Sequence, residues 1–253
     1  MEQTTSTTEP INPSSLSTRL MNVFTAPTEL YSEVAKTPVQ KSSWVAPYLL
    51  SILLTILFII ALYANESLRH QTYDLQLQGM QKAVEQGQMT QAQFDQARDR
   101  MEGSGPVLFV VFGGIPAAVV VSILFFGAAL VLWLAAKFGL KATAAYQKLL
   151  EVYGLASFIG ILGVIVTLLM MYAFDSLHAT PSAALAVLNS FDHTNKLHIF
   201  LSHLDVFTLW QTALVGVGVS KISGKSLGAG MGVAYGLWLI WAIVATLVGI
   251  GMR

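Results

Sequence analysis

The chain has 253 residues, of which 54% are hydrophobic and only 11% are charged. Soluble globular domains typically carry about 25% charged residues, so this composition is that of a membrane protein. The 14 basic and 14 acidic residues cancel, which argues against a nucleic-acid partner, and the lack of cysteine excludes disulfides, thiolate nucleophiles and cysteine-based metal sites.

Residues 1–43 are predicted to form an N-terminal cytoplasmic segment. They are mostly polar and lack the apolar core of a secretory signal, so we expect the first hydrophobic stretch to remain as a membrane anchor. Thr25 is a candidate helix cap, Pro27 lies in the first turn, and Pro38 ends the helix. The apolar side of this helix consists of Leu30, Tyr31 and Val34. This pattern predicts a short helix lying on the membrane surface.

Residues 44–253 are predicted to form an all-α membrane domain, a bundle of five transmembrane helices. A helix needs about 20 apolar residues to cross a bilayer. The stretches of this kind cover about residues 44–63, 107–136, 152–174, 198–219 and 227–252. The fourth reaches full length only if its helix begins near Lys196. The second contains Gly113, Gly114 and Pro116, which predict a kink or an early part outside the hydrocarbon.

The polar segments between the spans are predicted to form short helices. Residues 65–104 are rich in glutamine and are predicted to form a helical hairpin broken at Gly87. Its second helix begins at a possible capping box between Thr90 and Gln93. After the third span, the pair Thr180–Pro181 opens another short helix.

The placement of Lys and Arg predicts the orientation in the cell membrane. With a cytoplasmic N-terminus and an outer C-terminus, eight of these residues lie inside and six outside. The two short connections, after the second and fourth spans, are both basic and would both be cytoplasmic. The hairpin at residues 65–104 would lie outside.

No catalytic, cofactor-binding or metal-binding residue is predicted. The sequence SKISGKS at residues 220–226 ends like a phosphate-binding loop, but five residues separate Gly218 from Gly224 where that loop has four, and no strand precedes it. Ionisable side chains at depth in a bilayer usually mark a mechanism, and none lies near the centre of a predicted span. We therefore expect neither nucleotide binding nor enzymatic activity.

Three histidines, His193, His198 and His203, recur every five residues in one stretch. On a helix this spacing turns them by about 140° per step, so they share no face, and a metal site would need ligands from elsewhere in the fold. We expect polar residues at a membrane surface, with some capacity to sense pH.

The fifth predicted span carries Gly228, Gly232 and Gly236 at four-residue intervals. A ridge of small residues lets another helix approach closely. Two alternatives remain open, which are packing within the same chain and contact with another subunit.

Two segments, residues 22–54 and 204–230, resemble the YIP family, the Ypt/Rab-interacting multispan membrane proteins. In that family a Phe-x-x-Pro surface helix leads through a Trp and a Pro into the first span, and an Asp, a Phe and a Trp open the fourth. The matching positions are Phe24, Pro27, Pro38, Trp44, Pro47, Asp205, Phe207 and Trp210. The resemblance covers most of the chain from about Met21 onward.

The resemblance implies an all-α membrane domain without known catalysis. Eukaryotic members look like adaptors that bind small GTPases of the Rab class and other membrane proteins. This chain has a short N-terminal segment in place of a long cytosolic region, so it looks like a prokaryotic member. The resemblance therefore does not predict Rab binding for this chain.

Together these observations predict a non-enzymatic adaptor or accessory subunit that organises other membrane components. The alternative is a transporter or channel for a neutral or lipidic solute, with the interrupted second span as its moving part. The expected partners are the lipid bilayer and other membrane proteins or a second copy of the chain. The positions expected to serve helix packing or partner contact are Gly228, Gly232, Gly236, Asp205, Phe207 and Trp210.

Overall fold

A computed structural model describes residues 12–103 and 113–250. Over these residues the chain is helical, and its only β-type pairing is an isolated bridge between Ser182 and Asp205. The helices are α1 (Leu16–Thr25), α2 (Pro27–Lys36), α3 (Ser42–Ala64), α4 (Glu66–Glu85), α5 (Gln91–Gly103), α6 (Ile115–Gly139), α7 (Tyr146–Phe174), α8 (Lys196–His203), α9 (Val206–Ser223) and α10 (Leu227–Val248). A 3₁₀ helix covers Ala183–Ser190.

Four of the described helices, α3, α6, α7 and α10, are long and apolar enough to cross a membrane. Their length matches the roughly 20 residues that a bilayer requires. The all-α membrane fold is therefore confirmed with four candidate spans. Helix α9 has 18 residues and is not among these four.

The fourth predicted span differs from the observed structure. The sequence predicts one helix over about residues 198–219, whereas α8 ends at His203 and α9 begins at Val206. Leu204 leaves helical geometry with ψ 55°. Oδ1 of Asp205 then accepts a 2.8 Å hydrogen bond from the backbone N–H of Thr208. Because a carboxylate competes for backbone donors in this way, Asp205 starts a new helix instead of continuing the old one.

The N-terminal segment contains two helices where the sequence predicts one. Helix α1 ends at Thr25, whose hydroxyl donates back to the Met21 carbonyl at 3.2 Å, so Thr25 does not cap the second helix. Ser15 caps α1 by accepting a hydrogen bond from Thr18 N–H. Helix α2 begins at Pro27, whose missing N–H costs nothing in a first turn.

The apolar side of α2 faces the protein itself. Leu30, Tyr31 and Val34 are fully buried. The Tyr31 hydroxyl donates to the Val152 carbonyl of α7 at 3.5 Å. This side therefore packs against α7, and a position on the membrane surface would have to come from the other side of the helix.

The fold divides into two compact units, and every boundary between them falls within a helix. Unit 1 comprises residues 1–48, 125–159 and 210–240, and unit 2 comprises residues 49–124, 160–209 and 241–253. In unit 1, Phe125, Ala129 and Leu150 form a buried cluster, and five aromatic residues pack around it. These are Trp44, Tyr48, Phe126, Tyr146 and Tyr153.

Unit 2 contains the glutamine-rich helices α4 and α5. Gly87, with φ 70°, lies between them, and Thr90 and Gln93 exchange hydrogen bonds at the start of α5. Helix α4 is held to the turn after α7, because Gln71 donates to the Asp175 carbonyl at 2.9 Å and accepts from Leu177 N–H at 3.1 Å.

The second predicted span is only partly described, since its residues 107–112 lie outside the described residues. Helix α6 begins at Ile115, directly after Gly113 and Gly114, which have π-helical geometry. The change of helix type lies where the glycines and Pro116 predict an interruption. The expected kink, or early part outside the hydrocarbon, stays a prediction.

Candidate functional site

Unit 1 contains a buried charge cluster formed by Arg19, Glu33, Lys148 and Glu151. Nη1 of Arg19 lies 2.6 Å from Oε1 of Glu151, and Nη2 lies 2.8 Å from Oε1 of Glu33. Nζ of Lys148 lies 3.2 Å from the other oxygen of Glu151. The Arg19 and Glu151 side chains are 1% and 0% exposed, so this ion pair is removed from solvent.

The charge cluster also donates hydrogen bonds to backbone carbonyls at the end of α2 and to a hydroxyl group of α3. Lys148 donates to the carbonyls of Val34 and Thr37 at 2.5 and 2.6 Å. A lysine near these last carbonyls also interacts favourably with the negative end of the helix dipole. Arg19 donates to the Ser43 hydroxyl at 3.0 Å, so the cluster joins α1, α2, α3 and α7.

The electrostatics of the cluster follow from burial and pairing. Burial alone would raise the pKa of Glu33, but hydrogen bonds from Ser14 and the hydrogen bond and charge of Arg19 outweigh it and hold that pKa below its usual range. Burying one unpaired charge costs several kcal/mol, so each charge here depends on its partners. The cluster therefore fixes the position of the two N-terminal helices on α7.

This cluster was not predicted from the sequence. Its four residues are spread over residues 19–151, and the pairing is visible only after the chain has folded. One local signal existed, because Lys148 and Glu151 are three residues apart at the start of an apolar span and lie on the same side of α7.

Close helix packing within unit 1 depends on glycines other than the predicted ridge. A Cβ built on Gly230 would lie 2.7 Å from the backbone nitrogen of Ser220, and one on Gly216 would lie 2.6 Å from the sulfur of Met231. Helices α9 and α10 therefore cross nearly backbone to backbone. In the same way Gly154 of α7 leaves room for Trp44, whose Cβ would be 2.6 Å from an added Cβ.

The predicted ridge has no neighbour within the described chain. A Cβ built on Gly228, Gly232 or Gly236 meets no atom within 4 Å. Gly230 lies among the three on the same helix, yet it is buried against α9. The structure thus gives no support at these three positions to the alternative of packing within the chain.

The histidines of the histidine-rich stretch lie in two different environments within unit 2. His193 and His198 lie near the ring of Phe191, with centroid distances of 5.1 and 5.8 Å, and His178 stacks on that ring at 4.6 Å. Nε2 of His203 instead lies 3.0 Å from the Ile250 carbonyl oxygen. Within the described ranges, no group of three or more His, Asp or Glu residues is placed to hold a metal ion.

Comparison with known protein families identifies the family of this chain. The model of the Yip1 domain matches residues 21–252, which is nearly the whole chain. The chain belongs to the Yip1 domain family. Searches of curated proteins and of solved structures each found no match. Family membership and the four apolar helices make it a multi-pass membrane protein.

Four of the positions that carried the resemblance pack against or cap other elements of this Yip1 domain. In unit 1 the rings of Phe24 and Trp210 meet edge to face, with centroids 5.9 Å apart. In unit 2 Asp205 caps α9, and Phe207 packs where Gly163 has no side chain, 2.8 Å from a Cβ built there.

The two units of the Yip1 domain differ in charge. The exposed basic residues of unit 1 are Lys36, Lys41, Lys137, Lys141 and Lys225. Of its three described acidic residues, Glu33 and Glu151 belong to the charge cluster, and Glu29 is exposed. In unit 2 the described acidic residues outnumber the basic ones. Unit 1 therefore presents a positive surface.

Proposed function

We propose that this Yip1-domain protein is a non-enzymatic adaptor or accessory subunit that organises other components of the cell membrane. The observation that carries the proposal is the bare face of α10 at Gly228, Gly232 and Gly236. Lipid tails are as apolar as leucine, so the bilayer gives no reason to keep a stripe without side chains unless another helix packs there.

The contrast within α10 strengthens this proposal. Gly230 is required by α9 of the same chain, whereas the three ridge glycines are required by nothing in the described residues. The occupant is either a second copy of the chain or another membrane protein with a helix of small side chains. Co-purification of the wild type and of the Gly232→Leu variant from native membranes tests this function.

We further propose that α9 is a fifth span and that the N-terminus is cytoplasmic, with the C-terminus outside. Five crossings place the termini on opposite sides of the membrane. The exposed lysines of unit 1 support this orientation, because positively charged residues are concentrated on the cytoplasmic side of membrane proteins. Helix α9 is short for a span, but its close packing against the candidate span α10 at Gly230 supports the proposal.

The orientation predicts which residues a membrane-impermeant maleimide reaches in intact cells or spheroplasts. Single-cysteine variants need no prior removal of native cysteines, because the chain has none. Gln88→Cys and Ser190→Cys should be labelled from outside, whereas Lys141→Cys and Ser223→Cys should be labelled only after the membrane is opened.

Labelling of Ser223→Cys together with protection of Gln88→Cys would show that the protein is inserted in the inverted orientation. Equal labelling of Ser190→Cys and Ser223→Cys in intact cells would place both ends of α9 on one side and remove it from the set of spans. Labelling in opened membranes confirms that each cysteine is reactive.

A further inference from the structure

Unit 2 contains a partly open cavity of about 290 Å³ next to the start of α9. Polar lining comes mainly from Thr55, Thr167, Thr180, Asp205 and Thr208. Apolar lining comes mainly from Phe58, Val121, Val164 and Phe207. A second cavity of about 140 Å³ shares the lining residues Phe58, Thr180 and Ser202, so the two cavities adjoin. The pair has one carboxylate, which belongs to Asp205.

The Asp205 carboxylate has no cationic partner among the described residues. It is 8% exposed, and its hydrogen bonds come from neutral groups in the first turn of α9. The structure shows no Lys, Arg or His side chain of the described ranges in an ion pair with it. The first turn of α9 compensates part of the cost of burying this carboxylate, and a cation bound in the cavity would compensate the rest.

Two hydroxyl groups that line the same cavity add hydrogen-bond acceptors. Thr55 donates its hydroxyl proton to the Ser51 carbonyl at 2.8 Å, so its oxygen can only accept from a group in the cavity. The Thr180 hydroxyl shares one hydrogen bond with Ser182 at 2.8 Å. A cavity rich in acceptors and bearing one negative charge suits a ligand that brings several N–H donors on a cation.

The apolar side of the cavity indicates what is attached to that cation. Two phenyl rings, Phe58 and Phe207, line the space together with two valines. Aromatic faces attract a nearby cation, and the valines suit a short hydrocarbon body. A strongly hydrated inorganic cation would make no favourable contact with these apolar side chains.

We propose that this cavity binds a primary ammonium group carried on an apolar body, with Asp205 as its counter-ion. A neutral alcohol lacks the charge, and a quaternary ammonium lacks the N–H donors that the threonine oxygens accept. The ammonium can belong to a free alkylamine or to the headgroup of an amine-bearing lipid. This binding activity goes beyond the proposed adaptor function.

The test is calorimetric titration of the full chain in mild detergent with n-hexylamine. We expect saturable binding, weakened by at least about tenfold in Asp205→Asn, because truncating the charge of a buried pair removes most of its affinity. Asparagine caps helices about as well as aspartate, so the stability of the unliganded protein should stay nearly unchanged. Hexan-1-ol and hexyltrimethylammonium, as matched probes, should bind more weakly than n-hexylamine by a similar factor.

Equal affinity of n-hexylamine for the wild type and Asp205→Asn would overturn the proposal, as would equal binding of hexan-1-ol. Thr55→Val keeps the shape of the side chain and removes one acceptor, so it gives a second readout that does not touch the cap of α9. It should weaken n-hexylamine but leave the binding of hexyltrimethylammonium unchanged, and equal effects on both probes would also contradict the proposed site.

The source of the ammonium group is assigned by the same titration in nanodiscs. If a lipid headgroup occupies the cavity, phosphatidylethanolamine nanodiscs should reduce n-hexylamine binding relative to phosphatidylcholine nanodiscs. Equal binding in both assigns the cavity to a soluble amine. Absence of saturable binding in detergent and in both nanodiscs would refute the site without touching the adaptor function, which depends on α10.

Discussion

Replacing Glu151 with leucine should lower the free energy of unfolding by about 3 to 5 kcal/mol, the usual cost of breaking a buried ion pair. Arg19 and Lys148 share this carboxylate, at 2.6 and 3.2 Å, and Arg19 is itself buried. The variant leaves both cations short of an anion at a site where Arg19 is 1% and Lys148 is 14% exposed to solvent. Unfolding in mixed micelles with increasing sodium dodecyl sulfate measures the change.

The matched control is Glu29→Leu, which removes an exposed carboxylate from the first turn of α2. It should change stability by no more than about 1 kcal/mol, because it loses only a weak interaction with the helix dipole. The double variant Arg19→Met/Glu151→Leu should be more stable than Glu151→Leu alone, since uncharged residues of similar size can replace a buried pair. Equal losses in Glu29→Leu and Glu151→Leu would show that the cluster does not hold the N-terminal helices.

Leucine at Gly230 should destabilise the fold by about 1 to 3 kcal/mol or more, because overpacking forces backbone to move. The atoms it would meet are the backbone of Gly216 and the backbone nitrogen of Ser220, and neither can swing away as a flexible side chain can. Leucine at Gly232 should change the stability of the isolated chain by only about 0.5 kcal/mol or less, because an added Cβ meets nothing there.

The two variants differ by half a turn of one helix, so they separate internal packing from external contact. Thermal stability and particle size are measured for both in the same detergent. If Gly232→Leu destabilises the monomeric chain as strongly as Gly230→Leu, the ridge packs within the bundle and the partner interpretation fails. A shift of Gly232→Leu to smaller particles with unchanged monomer stability is the expected result.

Local patterns in the sequence were sufficient for part of the N-terminal region. Pro27 marks a helix start because its ring fixes the backbone and its missing N–H is not needed there. The spacing of Leu30, Tyr31 and Val34 identified the buried side of α2, but not the surface that buries it. That surface is α7, more than 100 residues away in the chain, and no local rule reports it.

Other features depend on competing interactions, and sequence patterns do not show which of these interactions prevails. The apolar spacing from Leu197 to Leu204 favours one continuous helix, yet the carboxylate of Asp205 captures the Thr208 N–H and ends it. Glycine spacing likewise does not separate Gly230 from Gly232. Which of them is crowded depends on how α9 crosses α10, and only the folded chain fixes that crossing.

The most direct test of the adaptor function is affinity purification of the full chain from its native membrane in mild detergent, followed by mass spectrometry and particle sizing. The wild type should carry a reproducible partner, either a second copy or another membrane protein, and Gly232→Leu should retain less than about a tenth of it. Ile240→Leu is the control, because this exposed residue of α10 keeps its volume and should keep the partner. Recovery of the wild type alone as a monomer, or equal partner recovery with Gly232→Leu, would contradict the proposed function.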